Sequence, residues 1–374
     1  MVEIDLPVDP AGGDRYLHAQ SMLDHWQTQG ALVREHEPAF WALEQSYVAP
    51  DGSQRRRRGL FARVRVTDYG PGRIRPHERT HPGPKEDRLA LTRATRANLS
   101  PIFSLFPDPD GAAAAALGEA TGGDPFATVT DHEGTASSLW RVAAPDAVAA
   151  LQAAFADAEL LIADGHHRYE TARVYADEIG GEGDHRYALM FLCSLGDPGL
   201  TVFPTHRLLS DLNPSAYEPL GAGLKELFEV EEVPLGQLDP AGQEGLGVFG
   251  YADSHLKRGF RLRLRDRAAL DRALDGRPDS YRELDAVILE ALVLRGILGM
   301  SEEDIAAKRG ISYEKSAGAA RAAIESEDAD CAFLLRPTPV EQVRAVAATG
   351  ETMPPKSTYF FPKVPTGFVF NPLS

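Results

Sequence analysis

The sequence predicts an α/β protein built on a mixed sheet, and three observations carry that expectation. The chain has 374 residues, enough for two hydrophobic cores. Its hydrophobic fraction of 43% and charged fraction of 25% are those of a folded globular protein. From Asp146 to Ile179 the residue pattern runs helix, strand, Asp-Gly turn, helix, which is the grammar of an α/β unit. The domain plan read from this is an α/β core over 1–210, a smaller α+β domain over 211–335, and a C-terminal segment, 336–374, that returns to the site.

The elements follow in order. Residues up to Gly13 read as a lead-in. Asp14 to Gln29 places Tyr16, Leu17, Leu23 and Trp26 at broadly helical spacing, and Gly30 stops it. Ala39 to Val48 and Gly59 to Val66 flank Pro50-Asp51-Gly52-Ser53 and read as a hairpin, with Arg55 to Arg58 at the solvated exit of the loop. Lys85 to Leu99 reads as a helix closed by Pro101, Gly111 to Gly123 as an alanine-rich surface helix, and Thr128 to Val142 as one or two strands. Asp146 to Ala158 is a helix opened by Pro145, followed by the strand Leu160 to Ala163 and a second helix. Arg186 to Leu195 and Leu200 to Leu209 are apolar strands joined by Gly196-Asp197-Pro198-Gly199. Beyond them come a helix over Tyr217 to Leu227, hairpin strands over Val248 to Tyr251 and Gly259 to Leu264, and a long apolar helix over Tyr281 to Leu298. A strand at Cys331 to Leu335 and a helix at Pro339 to Ala348 complete the reading.

Composition narrows the function classes. No apolar run of about eighteen uncharged residues is present, and Met1-Val2-Glu3-Ile4-Asp5 lacks the basic-then-apolar order of a signal peptide, so a cytoplasmic protein with no membrane partner is expected. A formal charge of −16 argues against nucleic acid as a partner. Cys193 and Cys331 lie in apolar runs and read as buried, reduced thiols. A small-molecule substrate is expected, and a homodimer is left open.

The chemistry concentrates in Asp164-Gly165-His166-His167-Arg168. A helix that opens at His166 points unpaired backbone N–H groups outward, its dipole adds positive potential, and Arg168 offers a planar fork of donors. That set suits an anion, phosphate first. A polar helix cap over a core strand is the plainer reading of the same residues. Neither G-x-x-x-x-G-K-[ST] nor G-x-G-x-x-G after a strand occurs, so a nucleotide would be held without either glycine-rich loop.

A second constellation runs from Arg73 to Arg88. Three prolines keep it from being one helix, which puts His77, Glu78 and Thr80 on a loop or strand end. Glu78 reads either as a general base or as a surface ion-pair partner of Arg75 or Arg79. His77, Glu78 and His81 are metal-ligand types, but without the helical His-Glu-x-x-His spacing. His77, Thr80, His206 and Arg207 are the substrate-side candidates. In the tail, Lys356, Ser357 and Thr358 offer a cation and two hydroxyls to phosphate, or else pack Tyr359, Phe360 and Phe361 as an ordered terminus.

Three blocks together resemble a known family. Pro76-His77-Glu78-Arg79-Thr80 with Lys85-Glu86-Asp87-Arg88, then Ile162 to Ala172, then Met353-Pro354-Pro355-Lys356-Ser357-Thr358-Tyr359-Phe360-Phe361-Pro362-Lys363 resemble, in order, the conserved blocks of the domain of unknown function 1015 family. The likeness runs over essentially the whole chain. The Asp-Gly-His-His-Arg block is also similar to the signature of the ParB/sulfiredoxin-like superfamily, which includes CTP-binding partition proteins, sulfiredoxin and a free-serine kinase. The resemblance implies a ParB/sulfiredoxin-like nucleotide-binding core with Gly165, His167 and Arg168 on phosphate. His166 stands where sulfiredoxin has its cysteine, which removes that thiol chemistry. The serine kinase shares Asp-Gly-His-His-Arg.

The implied activity is a nucleotide-dependent phosphotransferase acting on a small hydroxyl-bearing metabolite such as serine. ATP, ADP or CTP would be the nucleotide, Mg²⁺ would bridge the phosphates, and Glu78, Asp164 and His166 would be the catalytic group. Family members begin with a further stretch holding a Pro-Tyr-Asp-like motif that this chain lacks, and a catalytic carboxylate carried there would be missing. Two other readings compete. A ParB-like nucleotide switch or DNA-partition protein would need a basic helix-turn-helix; the best segment, Glu302 to Ile324, offsets Lys308, Arg309, Lys315 and Arg321 with Glu302, Glu303, Asp304 and Glu314. A metal-dependent hydrolase would draw on His77, Glu78, His166 and His167.

Overall fold

Strand-length apolar runs in the first half of the chain assemble into one eight-stranded mixed sheet, seen in a computed structural model that describes residues 2–9, 13–49, 52–78, 80 and 82–373. Pro50 and Asp51 of the expected turn, and Arg79 and His81 of the second constellation, lie outside the described residues. The chain forms two units, Met1–Thr201 with Pro362–Ser374, and Val202–Phe361.

The first unit runs α1 (Val2–Asp5), α2 (Arg15–Thr28), β1 (Phe40–Val48), β2 (Gln54–Arg65), β3 (Ile74–Arg75), α3 (Pro82–Thr95), β4 (Ala97–Asn98), β5 (Ile102–Phe106), α4 (Ala112–Ala120), β6 (Ala127–Thr130), β7 (Ala136–Val142), α5 (Pro145–Phe155), β8 (Leu160–Asp164), α6 (His166–Ile179) and β9 (Tyr187–Ser194). The sheet order is β3-β8-β5-β9-β2-β1-β7-β6. β3/β8 and β5/β9 are parallel, and the other pairs are antiparallel. Helix α6 lays Tyr169 and Ala172 on Ile102, Ile162 and Met190. Leu117 of α4 and Leu151 of α5 pack on Ala42, Leu60 and Val142. α1, α2 and α3 share a further cluster of Ile4, Ala19, Leu23 and Leu91.

Several elements differ from the sequence reading. The lead-in holds α1, whose Ile4 is buried. The four arginines 55–58 lie inside β2, not in a loop, because the hairpin continues its ladder to Val48 and Gln54. β5 carries no alternation, since all of Ile102-Phe103-Ser104-Leu105-Phe106 is buried as in a strand covered on both faces.

At the boundary and into the second unit come β10 (Thr201–Phe203) and β11 (His206–Leu209), one expected strand split at Pro204, which has no N–H to give a ladder. The second unit continues with α7 (Tyr217–Leu227), β12 (Phe228–Val233), β13 (Val248–Asp253), β14 (Arg258–Leu264), α8 (Ala268–Ala273), α9 (Asp279–Arg282), α10 (Asp285–Ile288), a π-helix at Leu289–Ile297, α11 (Glu302–Ala306), β15 (Ile311–Glu314), α12 (Ala317–Glu325), β16 (Cys331–Leu334), α13 (Val340–Ala348) and β17 (Tyr359–Phe361). The long helix expected over Tyr281 to Leu298 is therefore three pieces. A six-stranded sheet orders as β12-β14-β13-β16-β11-β15. Between α11 and α12 the chain forms β15, which pairs with β11, so Glu302 to Ile324 is helix-strand-helix and not a helix-turn-helix.

The mixed α/β class matches the expectation. Cys193 and Cys331 are buried and unlinked. No described helix is long and apolar enough to cross a membrane.

Gly59 marks a tight contact between β2 and β9. A Cβ there would lie 2.2 Å from the Phe191 ring and 2.6 Å from the Leu192 carbonyl oxygen, whereas one at Gly70 meets nothing within 4 Å. Gly59→Ala is expected to destabilise the protein by about 2 kcal/mol in urea unfolding, and Gly70→Ala by less than about 0.5. Equal effects would refute the close β2/β9 packing.

Candidate functional site

Strand β8 delivers the site. Leu160 to Ala163 are buried, and the strand ends on Asp164 at the lip of the sheet. Gly165 then turns the chain with φ +98°, in the left-handed region that favours glycine. Space adds a second reason for glycine, because a Cβ would come within 2.9 Å of the Arg168 guanidinium. α6 opens at His166 with no side-chain cap at Gly165, so no cap side chain claims its first-turn N–H groups.

Two cations converge on Asp164. Arg168 Nη2 donates to Oδ2 at 2.6 Å, and Lys363 Nζ, from the C-terminal return, donates to Oδ1 at 2.5 Å. The Arg168 guanidinium also donates to the Pro101 carbonyl, which fixes its plane. Burial alone would raise the Asp164 pKa, but Lys363 and Arg168 outweigh it and hold the carboxyl below its usual range. Asp164 is thus an ionised organiser of two cations and a poor proton acceptor. Lys363 lies within the tail motif of the sequence but carried no assigned role; its signal was a lysine in a proline-rich, aromatic terminus. Its own carbonyl accepts from Gln45 Nε2 at 3.1 Å, and Gln45 Oε1 accepts from the fully buried Arg57, which stacks 4.6 Å from the Phe103 ring centroid. A run of polar contacts from β2 through β1 therefore fixes the backbone of Lys363. Beside Arg168 a cavity of about 40 Å³ is lined by Arg88, Asn98, Ser100 and Thr171, with Arg88 held by Asp5 at 2.9 Å.

A histidine pair stands on the neighbouring strand end. His77 Nδ1–H donates to the Ile162 carbonyl at 2.7 Å, and the His77 backbone N–H donates to His166 Nε2 at 3.2 Å. The rings meet edge to face with centroids 4.6 Å apart. Burial pushes His77 down to about 4 and His166 well below the ordinary imidazole value, so both are neutral at pH 7. Since His166 Nε2 accepts, its proton sits on Nδ1, 4.0 Å from Glu78 Oε2. That is an electrostatic neighbour, beyond direct hydrogen-bond length. The Glu78 side chain is 35% exposed.

The structure thus brings His77, Glu78, Asp164, Gly165, His166 and Arg168 into one neighbourhood and adds Lys363. His167 occupies the first turn of α6, and Thr80 lies partly buried in the connection to α3. Lys356, Ser357 and Thr358 belong to the second unit. There Lys356 is exposed at φ +59°, and the Ser357 hydroxyl donates to the Pro354 carbonyl at 2.7 Å while its carbonyl accepts from Thr338 at 3.1 Å. His206 and Arg207 are buried in that unit. His206 Nδ1 accepts from the Leu335 N–H at 3.1 Å, and Arg207 donates to the Thr205 carbonyl and lies over the Tyr313 ring. Among the described residues no group of three His, Cys, Asp or Glu is placed to hold a metal ion, so the hydrolase reading has no ligand set there.

The charge arrangement predicts a pH signature. Stabilisation from a carboxylate with a depressed pKa is complete above about pH 4 and disappears as pH falls through its folded pKa. Asp164→Asn is expected to lower thermal stability at pH 7, with the gap to wild type closing as the pH is taken down towards 3. A gap independent of pH would contradict the ion pairs.

No curated protein matches the sequence. Among solved structures, a conserved hypothetical protein from Pyrococcus furiosus is similar at 16% identity, TM-score 0.41, over 82% of this chain and 93% of that one. A free serine kinase in complex with AMP is similar at 13% identity, TM-score 0.41, over 81% and 86%. SbnI with a C-terminal truncation, from Staphylococcus aureus, is similar at 12% identity, TM-score 0.40, over 80% and 82%. Residues 1–287 match the family described as protein of unknown function (DUF1015), and the chain belongs to that family.

Proposed function

We propose that the first unit binds nucleotide phosphates at the Asp164-to-Arg168 turn and transfers a phosphoryl group to a small hydroxyl-bearing metabolite such as serine. One observation carries the reading: an uncapped helix N-terminus directly follows a left-handed glycine, with two cations, Arg168 and Lys363, already gathered by Asp164. Positive charge collected in a partly buried turn is what phosphoryl transfer requires, since the reaction proceeds largely by positioning and by stabilising charge on the phosphoryl oxygens.

The proposed roles are these. Backbone N–H groups of Gly165 and the first turn of α6, through His167, face the phosphate oxygens, and Arg168 and Lys363 neutralise them. Asp164, tied between two cations, is not the base. Glu78 takes the proton from the substrate hydroxyl, with neutral His166 beside it at 4.0 Å. His77 holds His166 through its backbone N–H and is a positioning residue. The hydroxyl oxygen then forms the new bond to phosphorus as the nucleoside diphosphate leaves. Mg²⁺ does not fit the Asp164 carboxylate as it stands, because both its oxygens already accept from Arg168 and Lys363, so no step is drawn through the ion.

Calorimetry with ATP, ADP and CTP tests the binding half. Wild type is expected to bind at least one of them, and Arg168→Ala to weaken that binding about tenfold or more. Glu78→Gln is expected to keep nucleotide affinity within about threefold while abolishing phosphoserine formation from ATP and serine. Equal binding by Arg168→Ala would remove the phosphate site, and undiminished turnover by Glu78→Gln would remove the base.

A further inference from the structure

Arg56 and Arg58 of the β2 arginine run are left unused by the proposed reaction, and they border a cleft. The cleft measures about 390 Å³ and is lined by Arg55, Arg56, Arg58, Leu117 and Asp197, among others. None of its lining residues belongs to the Asp164 turn or to the His77 pair. Its volume falls within the range of small-molecule sites.

Strand alternation explains the charge. Arg56 and Arg58 are two residues apart and leave β2 on one face, while Arg57 turns to the other and is buried. Glu44, opposite Arg58 on β1, is shared by both arginines of the first face: Arg58 Nε donates to Oε2 at 2.6 Å, and Arg56 Nη1 stands 3.8 Å from Oε1. The Arg56 side chain remains 67% exposed. The other carboxylate at the cleft, Asp197, spends Oδ2 on the Arg58 backbone N–H at 3.1 Å and Oδ1 on the Gly199 N–H at 2.8 Å. It anchors the 194–199 loop rather than pairing with a guanidinium. Gly199 presses so closely on this strand that a Cβ would lie 2.1 Å from the Arg56 carbonyl oxygen. Two guanidinium groups, Arg56 and Arg58, therefore face Glu44 while Asp197 is committed to backbone, in a protein whose net charge is −16. The floor beside them is apolar, formed by Ala114, Leu117 and Pro198.

We propose that this cleft binds a phosphate-bearing small molecule, its anionic group on Arg56 and Arg58 and its apolar or ring portion over Ala114, Leu117 and Pro198. Guanidinium donors match phosphate oxygens in geometry, and phosphate brings the charge that Glu44 alone does not supply. A concave site with an apolar floor fits a small molecule better than a nucleic-acid backbone, which the −16 charge of the whole chain repels.

The experiment uses phenyl phosphate and inorganic phosphate as probes, titrated calorimetrically into the full chain carrying Arg168→Ala, so that the Asp164 turn is disabled. Saturable binding is expected, with phenyl phosphate tighter than inorganic phosphate, and with about tenfold or greater weakening when Arg56→Gln is added. Arg56 is exposed, so the added substitution is expected to leave the melting temperature of the Arg168→Ala chain unchanged. Absence of saturable binding, or equal affinity with and without Arg56→Gln, overturns the proposal. So does tight binding of a short DNA duplex at physiological salt with the same Arg56 dependence, which would make the arginines a nucleic-acid surface. Failure of the phosphotransferase reading leaves this result untouched, since the assay runs with that site disabled.

Discussion

Asp164 held between Arg168 and Lys363 is the interaction on which the rest of the first unit turns. It joins three parts of the chain: the end of β8, the first turn of α6, and a segment that comes back nearly two hundred residues later. One cation would already balance the charge of this partly buried carboxylate; with two, both oxygens are occupied and the group stays ionised. The net charge of that triad is positive. It therefore neutralises its own carboxylate and still presents a cation towards the helix N-terminus, where the backbone already favours an anion.

The sheet makes this arrangement precise. β8 lies between β3 and β5, so Asp164 has a parallel neighbour that ends just before His77 and an antiparallel neighbour that carries Phe103. The register between β5 and β8 shifts at Phe103 and Ser104, and the irregularity falls where β8 gives way to the turn. His77 then closes the edge by bonding to the Ile162 carbonyl and to His166. Two buried imidazoles that stay neutral cost no ionic desolvation, which is why a hydrogen-bonded histidine pair can sit directly behind a cluster of cations.

Much of this was legible in the sequence, and the limits have physical causes. The strand-turn-helix around Asp164 was readable because its signals are local: an apolar run, a glycine, and a helical pattern. β5 was missed because a strand buried on both faces has no alternation to read, and β2 was read five residues short because four consecutive arginines resemble a loop exit. The split of the Tyr281-to-Leu298 helix depends on packing, which hydropathy spacing does not encode. At the site, Arg168 was foreseeable from its position on α6. Its partner Lys363 was not, since pairing at that sequence distance follows from tertiary folding alone, and Lys356, seven residues earlier, carries the same chemistry in the same motif.

The two arginine-bearing features of the first unit show how context decides what a cation does. Arg57 and Arg56 are adjacent in sequence, yet one is sealed over aromatic rings and serves the hydrogen-bonded run that leads through Gln45 to Lys363, while the other stands in solvent beside Glu44. The period of a strand separates them, and nothing in residue type does. A buried guanidinium without a carboxylate is costly, and its retention beneath Gln45 is understandable if its position is needed to hold the Lys363 backbone. The same strand thus supports the Asp164 turn from one face and borders a separate basic cleft on the other. Neutral substitutions at residues 56 and 57 therefore act on different sites: the first on what the cleft can bind, the second on how firmly Lys363 is presented to Asp164.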